Sequence, residues 1–223
     1  MKILFVVTAF YPEQAIGAIR ITKFAKYLLK KDVDVSIISL SPPPWAMHDE
    51  TLKFDELANT EWDVIDQSSI FKILLQKARV AAVGPVSANS LENSQNSAHS
   101  IKNLIKKNAH FVYTTAKAID WSARVSRHVR KKYNNTVFDI IFCSFPSLAS
   151  PLTGVRLKKM GMGKRLAVDF RDPMSQSISG FFSLGNYIQK YLLKNIDFTF
   201  HISEGVKNNV LKGKENVNAR SID

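Results

Sequence analysis

Cysteine is almost missing from this 223-residue chain: Cys143 stands alone, so no intramolecular disulfide can form. A lone thiol fits a reducing compartment. Acidic residues are also scarce, with 19 Asp and Glu against 31 Lys and Arg, which leaves a formal charge of +12. That excess bears on partners and solubility rather than on fold, and it directs attention to nucleic acid, anionic lipid and phosphorylated small molecules. No run of about 18 apolar residues occurs, so no transmembrane helix is expected. The apolar start, Met1 to Val7, is too short for a signal-peptide core and Pro12 soon follows. The expected location is the cytoplasm. The five histidines, His48, His99, His110, His128 and His201, show no ligand spacing with Cys143, so no metal site is expected. Neither a P-loop nor a nucleophile elbow is present.

What is there alternates. Lys2 to Thr8 is a short continuous apolar run of the kind that marks a strand buried on both faces. A loop with Pro12 follows, and Ala18 to Lys31 has helical periodicity, with Ile21, Phe24, Ala25, Leu28 and Leu29 on one face. Val33 to Leu40 is a second β-rich run, closed by Pro42-Pro43-Pro44. Further strands are expected at 62–66, 138–144, 165–170 and 197–202. Helices are expected at 70–80, 101–133, 147–160, 187–194 and 204–211. Residues 83–100, rich in Ser, Asn and Ala, read as a flexible insertion. The pattern predicts an α/β, Rossmann-like, doubly wound parallel sheet of about six to seven strands with helices on both faces. Ligands of such sheets bind beyond the carboxyl ends of the strands.

Four loops at those ends carry polar groups. The first holds Tyr11-Pro12-Glu13 and then Gly17; a single glycine is not the dinucleotide fingerprint, but it permits close approach to a helix N-terminus that favours anions. Ser144-Phe145-Pro146-Ser147 offers two hydroxyls, with Ser147 placed to cap the next helix. Asp169-Phe170-Arg171-Asp172-Pro173 sets three charges at a strand end. Arg171 either bridges Asp169 and Asp172 or holds a phosphate or sugar hydroxyls, and a carboxylate there is a candidate general base. Ser203-Glu204-Gly205 repeats the capping pattern. Away from these loops, Lys106, Lys107, Arg124, Arg127 and Lys131 make the long helix basic. They form either a solvated face or a surface for anionic lipid. No aromatic interleaving or nucleic-acid motif accompanies them, so no nucleic-acid partner is expected.

Taken in order, these segments resemble the family 4 glycosyltransferases of the GT-B fold. Phe10-Tyr11-Pro12-Glu13 with Gly17, Arg20 and the helix to Leu29 resembles the family's opening unit. Asp120-Trp121, then Phe138-Asp139-Ile140-Ile141 with Ser144 and Pro146, resembles the middle of its N-terminal domain. Asp169-Phe170-Arg171-Asp172-Pro173 is similar to the D-x-R-D-P-W signature of a bacterial subset, with Met174 in place of tryptophan. Ile202-Ser203-Glu204-Gly205 resembles the turn after the last strand of that domain. The resemblance implies a nucleotide-sugar donor, no cofactor or metal, and a lipid-linked sugar or growing polysaccharide as acceptor. It implies a role in cell-surface polysaccharide or lipopolysaccharide biosynthesis, at the inner face of the membrane.

On this resemblance residues 1–212 correspond to the acceptor-side domain and 213–223 to the start of an interdomain linker. The C-terminal domain that grips the donor is not within the 223 residues, so the isolated chain is expected to be inactive. Tyr11, Glu13, Gly17, Arg20, Ser144, Ser147, Arg171, Ser203 and Glu204 would bind substrate, with Asp169 and Asp172 as catalytic candidates. The Gly17 loop would face the donor and stand open and solvated. The alternative is a non-catalytic binding or membrane-docking subunit that partners a separate donor-binding chain.

Overall fold

The computed structural model of the chain describes residues 1–44, 46–49, 55, 60–73, 97–172, 182–211 and 218–221, without the side chains of 97–109, 182–184, 186 and 218–221. In chain order the elements are β1 (Lys2–Val7), α1 (Ile16–Leu29), β2 (Asp34–Leu40), β3 (Glu61–Ile65), α2 (Ser97–Lys132), β4 (Phe138–Phe145), α3 (Ala149–Lys159), β5 (Gly163–Phe170), α4 (Phe182–Asn195), β6 (Phe198–His201), α5 (Glu204–Leu211) and β7 (Asn218–Ser221). The strands form one sheet in the order β3-β2-β1-β4-β5-β6-β7, and every neighbouring pair is parallel. This is the expected Rossmann-like α/β architecture.

The strand order reverses between β1 and β4. From β1 the chain moves outward to β2 and β3; from β3 it returns across the sheet to β4 and continues to β7. Right-handed crossovers in opposite directions lie on opposite faces. Accordingly Ile21 and Ala25 of α1 pack with Phe5, Ile37 and Phe142 on one face. Trp121 and Val125 of α2, Leu157 of α3, Leu192 of α4 and Val210 of α5 pack with Leu4, Ile141 and Val168 on the other. The continuous apolar runs of β1, β4 and β5 are explained by this double burial: Leu4, Phe5, Ile141, Cys143 and Val168 are fully enclosed.

Three local expectations are corrected. The helix expected to begin at Ser147 begins at Ala149, with Leu148 at its cap position and no side-chain cap bond, so Ser147 is not a helix cap. Ser150 acts instead. Its hydroxyl donates to the Val6 carbonyl and accepts from the Ser144 amide at 3.1 Å, tying α3 to both β1 and β4 where the strand order reverses. Residues 97–100, expected in a flexible insertion, form the first turn of α2; the rest of that insertion, like the end of the helix expected at 70–80, lies outside the described residues. Residues 218–221, expected in a linker, pair with β6 as a seventh strand.

Gly161 ends α3 at a positive φ of 75°, with Met162 donating back to the Leu157 carbonyl and Gly161 to that of Lys158. This is a left-handed glycine helix stop. The Asp120-Trp121 pair also has a visible job. The Trp121 indole donates to the Ile65 carbonyl at 2.9 Å and the Asp120 carboxylate accepts from the Ser68 amide at 3.3 Å. Together they fix the chain leaving β3 against α2.

Candidate functional site

The carboxyl ends of β1, β4 and β5 converge at the reversal point, and two polar clusters flank the sheet there. The first lies on the α1 face. In register, Ser144 of β4 stands beside Asp169 of β5, which stands beside Phe200 of β6. Asp169 is 2% exposed. One of its oxygens accepts from Arg20 of α1 at 3.2 Å. The other, Oδ2, is buried without a hydrogen-bond partner among the described residues, and so is the neighbouring Ser144 hydroxyl. Burial pushes the Asp169 carboxyl above its usual range, although Arg20 and Arg171 pull it back. Beside the pair is a groove of about 310 Å³ whose walls include Arg20, Phe24, Phe142, Asp169 and Phe200.

Arg171 does not bridge the two aspartates. Its Nε donates to the Phe145 carbonyl at 3.2 Å, and its guanidinium lies against Gly17 so closely that any Cβ at that position would overlap it. Gly17 is thus needed for side-chain contact rather than for loop flexibility: it is the second residue of α1 and is buried. The start of α1 has neither a side-chain cap nor an acidic residue in its first turn. A guanidinium beside the positive end of a helix is electrostatically unfavourable by itself, and the combination suits an anion. Replacing Gly17 by alanine is expected to displace Arg171 while changing stability by under about 1 kcal/mol, since alanine is the better helix former. Urea denaturation checks the second half of that expectation. A crystal structure of the variant with Arg171 unmoved would refute the first.

The loop before α1 is solvated at its end, where Gln14, Ala15 and Ile16 are exposed, but it is also pinned. Tyr11–Pro12 is a cis peptide. Gln14 donates to the Met47 carbonyl at 2.8 Å, Asp49 to that of Pro12 at 2.9 Å, and Glu13 bridges to His48. Burial raises the Glu13 carboxyl above its ordinary value, with His48 opposing. Phe10 and Tyr11 pack edge-on against Trp62 at 5.5 and 6.4 Å. Tyr11 and Glu13, expected to bind substrate, therefore stand on the β3 side of α1, and the geometry gives each a packing role as well.

The other expected residues are spread along the same rim. Asp172 follows β5 and is half-buried. Ser203 caps α5, accepting from the Val206 amide at 3.3 Å, and Glu204 pairs with Lys207 at 3.0 Å. Of the basic residues on α2, Arg127 and Lys131 are exposed, whereas Arg124 donates to the Asp66 carbonyl at 3.0 Å and Lys132 pairs with Asp63 at 2.7 Å. The side chains of Lys106 and Lys107 lie outside the described residues. Among the described residues, no helix is long and apolar enough to cross a membrane, and no group of three or more His, Cys, Asp or Glu could hold a metal ion.

The second cluster lies on the α2 face, and of the residues expected to bind substrate it contains Ser147. A cavity of about 190 Å³ lies between the end of β1, the start of α3 and the middle of α2, with Thr8, Gln67, Lys117 and Ser147 among its walls. His201, not among the expected site residues, is fully buried at the end of β6 and stacks on Phe170 with ring centroids 5.6 Å apart.

No protein-family model matches the chain, and no curated protein sequence matches it. Solved structures do. The N-terminal domain of a trehalose-6-phosphate phosphatase from Candida albicans superposes with a TM-score of 0.58 at 11% identity, over 99% of this chain and 48% of its own. An E. coli trehalose-6-phosphate structure bound with UDP-2-fluoro glucose gives 0.52 at 12%, over 99% and 48%. A structure described as a UDP-N-acetylglucosamine 2-epimerase from Listeria monocytogenes gives 0.51 at 13%, over 98% and 44%. The chain spans about half the length of these proteins. At such identity the likeness is one of fold alone, an α/β Rossmann-like domain.

Proposed function

We propose that this chain is the acceptor-side domain of a nucleotide-sugar-dependent glycosyltransferase, acting in the assembly of a cell-surface polysaccharide or lipopolysaccharide. The observation that carries the proposal is the Arg20–Asp169–Arg171 cluster under the start of α1. Two guanidinium groups and an uncapped helix end face one carboxylate, so the cluster has positive potential to spare for donor phosphates. Asp169 keeps a buried oxygen without a partner among the described residues, which suits a sugar hydroxyl as hydrogen-bond donor.

The same geometry supports the following roles within this proposal. Arg171 binds the anionic part of the donor, Arg20 orients Asp169, and Asp169 receives the hydroxyl proton or hydrogen-bonds the hydroxyl. The neighbours' lengths support a second, donor-gripping half that completes the cleft. The 223 residues alone are then expected to show no nucleotide-sugar turnover above background, by coupled detection of released nucleotide. Steady multiple turnover by the chain alone would overturn the assignment to one half of a cleft. With a donor-binding half supplied, transfer that survives Asp169→Asn unchanged would remove the role given to Asp169.

A further inference from the structure

The cavity on the α2 face has an unusual polar inventory. Lys117 reaches it from the middle of α2, and no ion pair or hydrogen bond engages its ammonium among the described residues. Among the described residues, no aspartate or glutamate lines the space. Gln67 is 9% exposed, lines the cavity and makes no hydrogen bond to the described residues. On the opposite wall stand Ser147, Leu148 and Ala149, the start of the 11-residue helix α3, whose first turn has neither a side-chain cap nor an acidic residue.

A half-buried ammonium without a counter-charge is unfavourable, and burial pulls the Lys117 amine below its ordinary range. The uncapped end of α3 adds a second positive pole on the facing wall, with the Ala149 and Ser150 N–H groups unbonded among the described residues and Pro151 contributing none. Gln67 and Ser147 supply neutral hydrogen-bonding groups between the two. The volume, about 190 Å³, is that of roughly six waters. It suits one charged group with part of a sugar ring, not an oligosaccharide.

We propose that this cavity is a subsite for an oxyanion carried by the acceptor, a phosphate or a carboxylate, with Lys117 as its counter-charge and the start of α3 as its second pole. The inference rests on the glycosyltransferase reading for the word acceptor and adds that the acceptor is anionic. It also explains why Ser147 is no helix cap: its place is on the wall of the cavity.

The test uses the whole 223-residue chain with three probes: glucose 1-phosphate, glucuronate and glucose. One or both anionic sugars are expected to bind, and the preferred one identifies phosphate or carboxylate as the group. In the wild-type chain the amide resonances of Ser147, Leu148 and Ala149 should shift on titration. Lys117→Met should weaken binding roughly tenfold or more, the size expected for a lost charge-assisted hydrogen bond, while Lys117→Arg retains most of it. Lys131→Met, an exposed charge on the same helix, should bind like wild type. Equal binding of glucose, equal losses in the two methionine variants, or no shift at 147–149 would each overturn the proposal. The glycosyltransferase reading fails separately. Anion binding at Lys117 without transfer in a chain given its donor-binding half counts against that reading alone. Transfer to a neutral acceptor with no anion binding counts against this one.

Discussion

Arg20→Met is expected to lower the stability of the chain by about 3 kcal/mol at neutral pH, the lower end of what a buried carboxylate costs when its partner is removed. Arg20 is itself about one-third exposed, whereas the Asp169 side chain is 3% exposed, so the penalty falls on the aspartate that is left behind. Arg171 contributes some attraction but its guanidinium is engaged against Gly17 and the Phe145 carbonyl, which limits any compensation. Asp169→Asn alone should be neutral or mildly stabilising, because it removes a desolvated charge. The double variant should recover most of the loss. A urea denaturation cycle over the four proteins measures the coupling directly.

The pH dependence has a defined sign. Burial raises the folded-state pKa of Asp169, so its contribution to stability is complete below the unfolded value and is lost as pH rises through the folded one. The deficit of Arg20→Met should therefore shrink as the solution is acidified. A deficit under about 1 kcal/mol that the double variant leaves unchanged would mean that the pair does not secure α1 to the sheet.

That pairing marks the boundary of what the sequence made legible. Strand and helix positions were readable because they depend on local pattern: the short apolar runs at 2–8, 138–144 and 165–170 are of the kind that marks doubly buried strands, and the alternation with helices implied a parallel sheet. The rim of the site was readable too, since ligand loops follow from topology once the strands are placed. Which side chains meet across the rim was not. Arg20 and Asp169 are 149 residues apart and become neighbours only because β1 and β4 are adjacent and α1 crosses back over that seam. Along the sequence Arg171 is nearer and was the natural candidate for the same carboxylate. Gly17 looked like a loop glycine because its reason, the Arg171 guanidinium, is equally remote. Lys117 was visible as one of many cations on α2, and helical periodicity cannot tell that it turns toward a cavity while Lys131 turns toward solvent. Ser203, whose partner is three residues away, was read correctly as a cap.

His201 provides the second large effect, and it is expressed in acid. It is fully buried at the end of β6, both ring nitrogens lack hydrogen-bond partners among the described residues, and it stacks on Phe170 at an interplanar angle of 12°. Desolvation first, and Lys207 second, push its pKa from 6.5 down to about 4, with Glu204 opposing. The fold thus favours the neutral ring. The stability this contributes is complete above the unfolded value and is lost as pH falls through the folded one, because the unfolded chain binds the proton more readily. A shift of that size corresponds to about 3 kcal/mol between pH 6.5 and pH 4. His201→Leu should keep the apolar contact with Phe170 and eliminate the titration. The two proteins should differ by under about 1 kcal/mol at pH 7.5, and the variant should be the more stable by about 2–3 kcal/mol at pH 4.5. Asp63, Asp66 and Asp139, whose pKa values are lowered, also lose stability in acid. They do so equally in both proteins and cancel in the difference. Parallel stability curves from pH 7.5 to 4.5 would mean that the ring takes up its proton inside the folded chain as easily as outside it. Because β6 ends at His201 and the Ser203–Glu204 turn follows directly, protonation should loosen that part of the rim first, before the Trp121 side of the core. Hydrogen exchange at Val206 and Lys207 in mildly acidic solution, compared between wild type and His201→Leu, distinguishes this local opening from a uniform loss of stability.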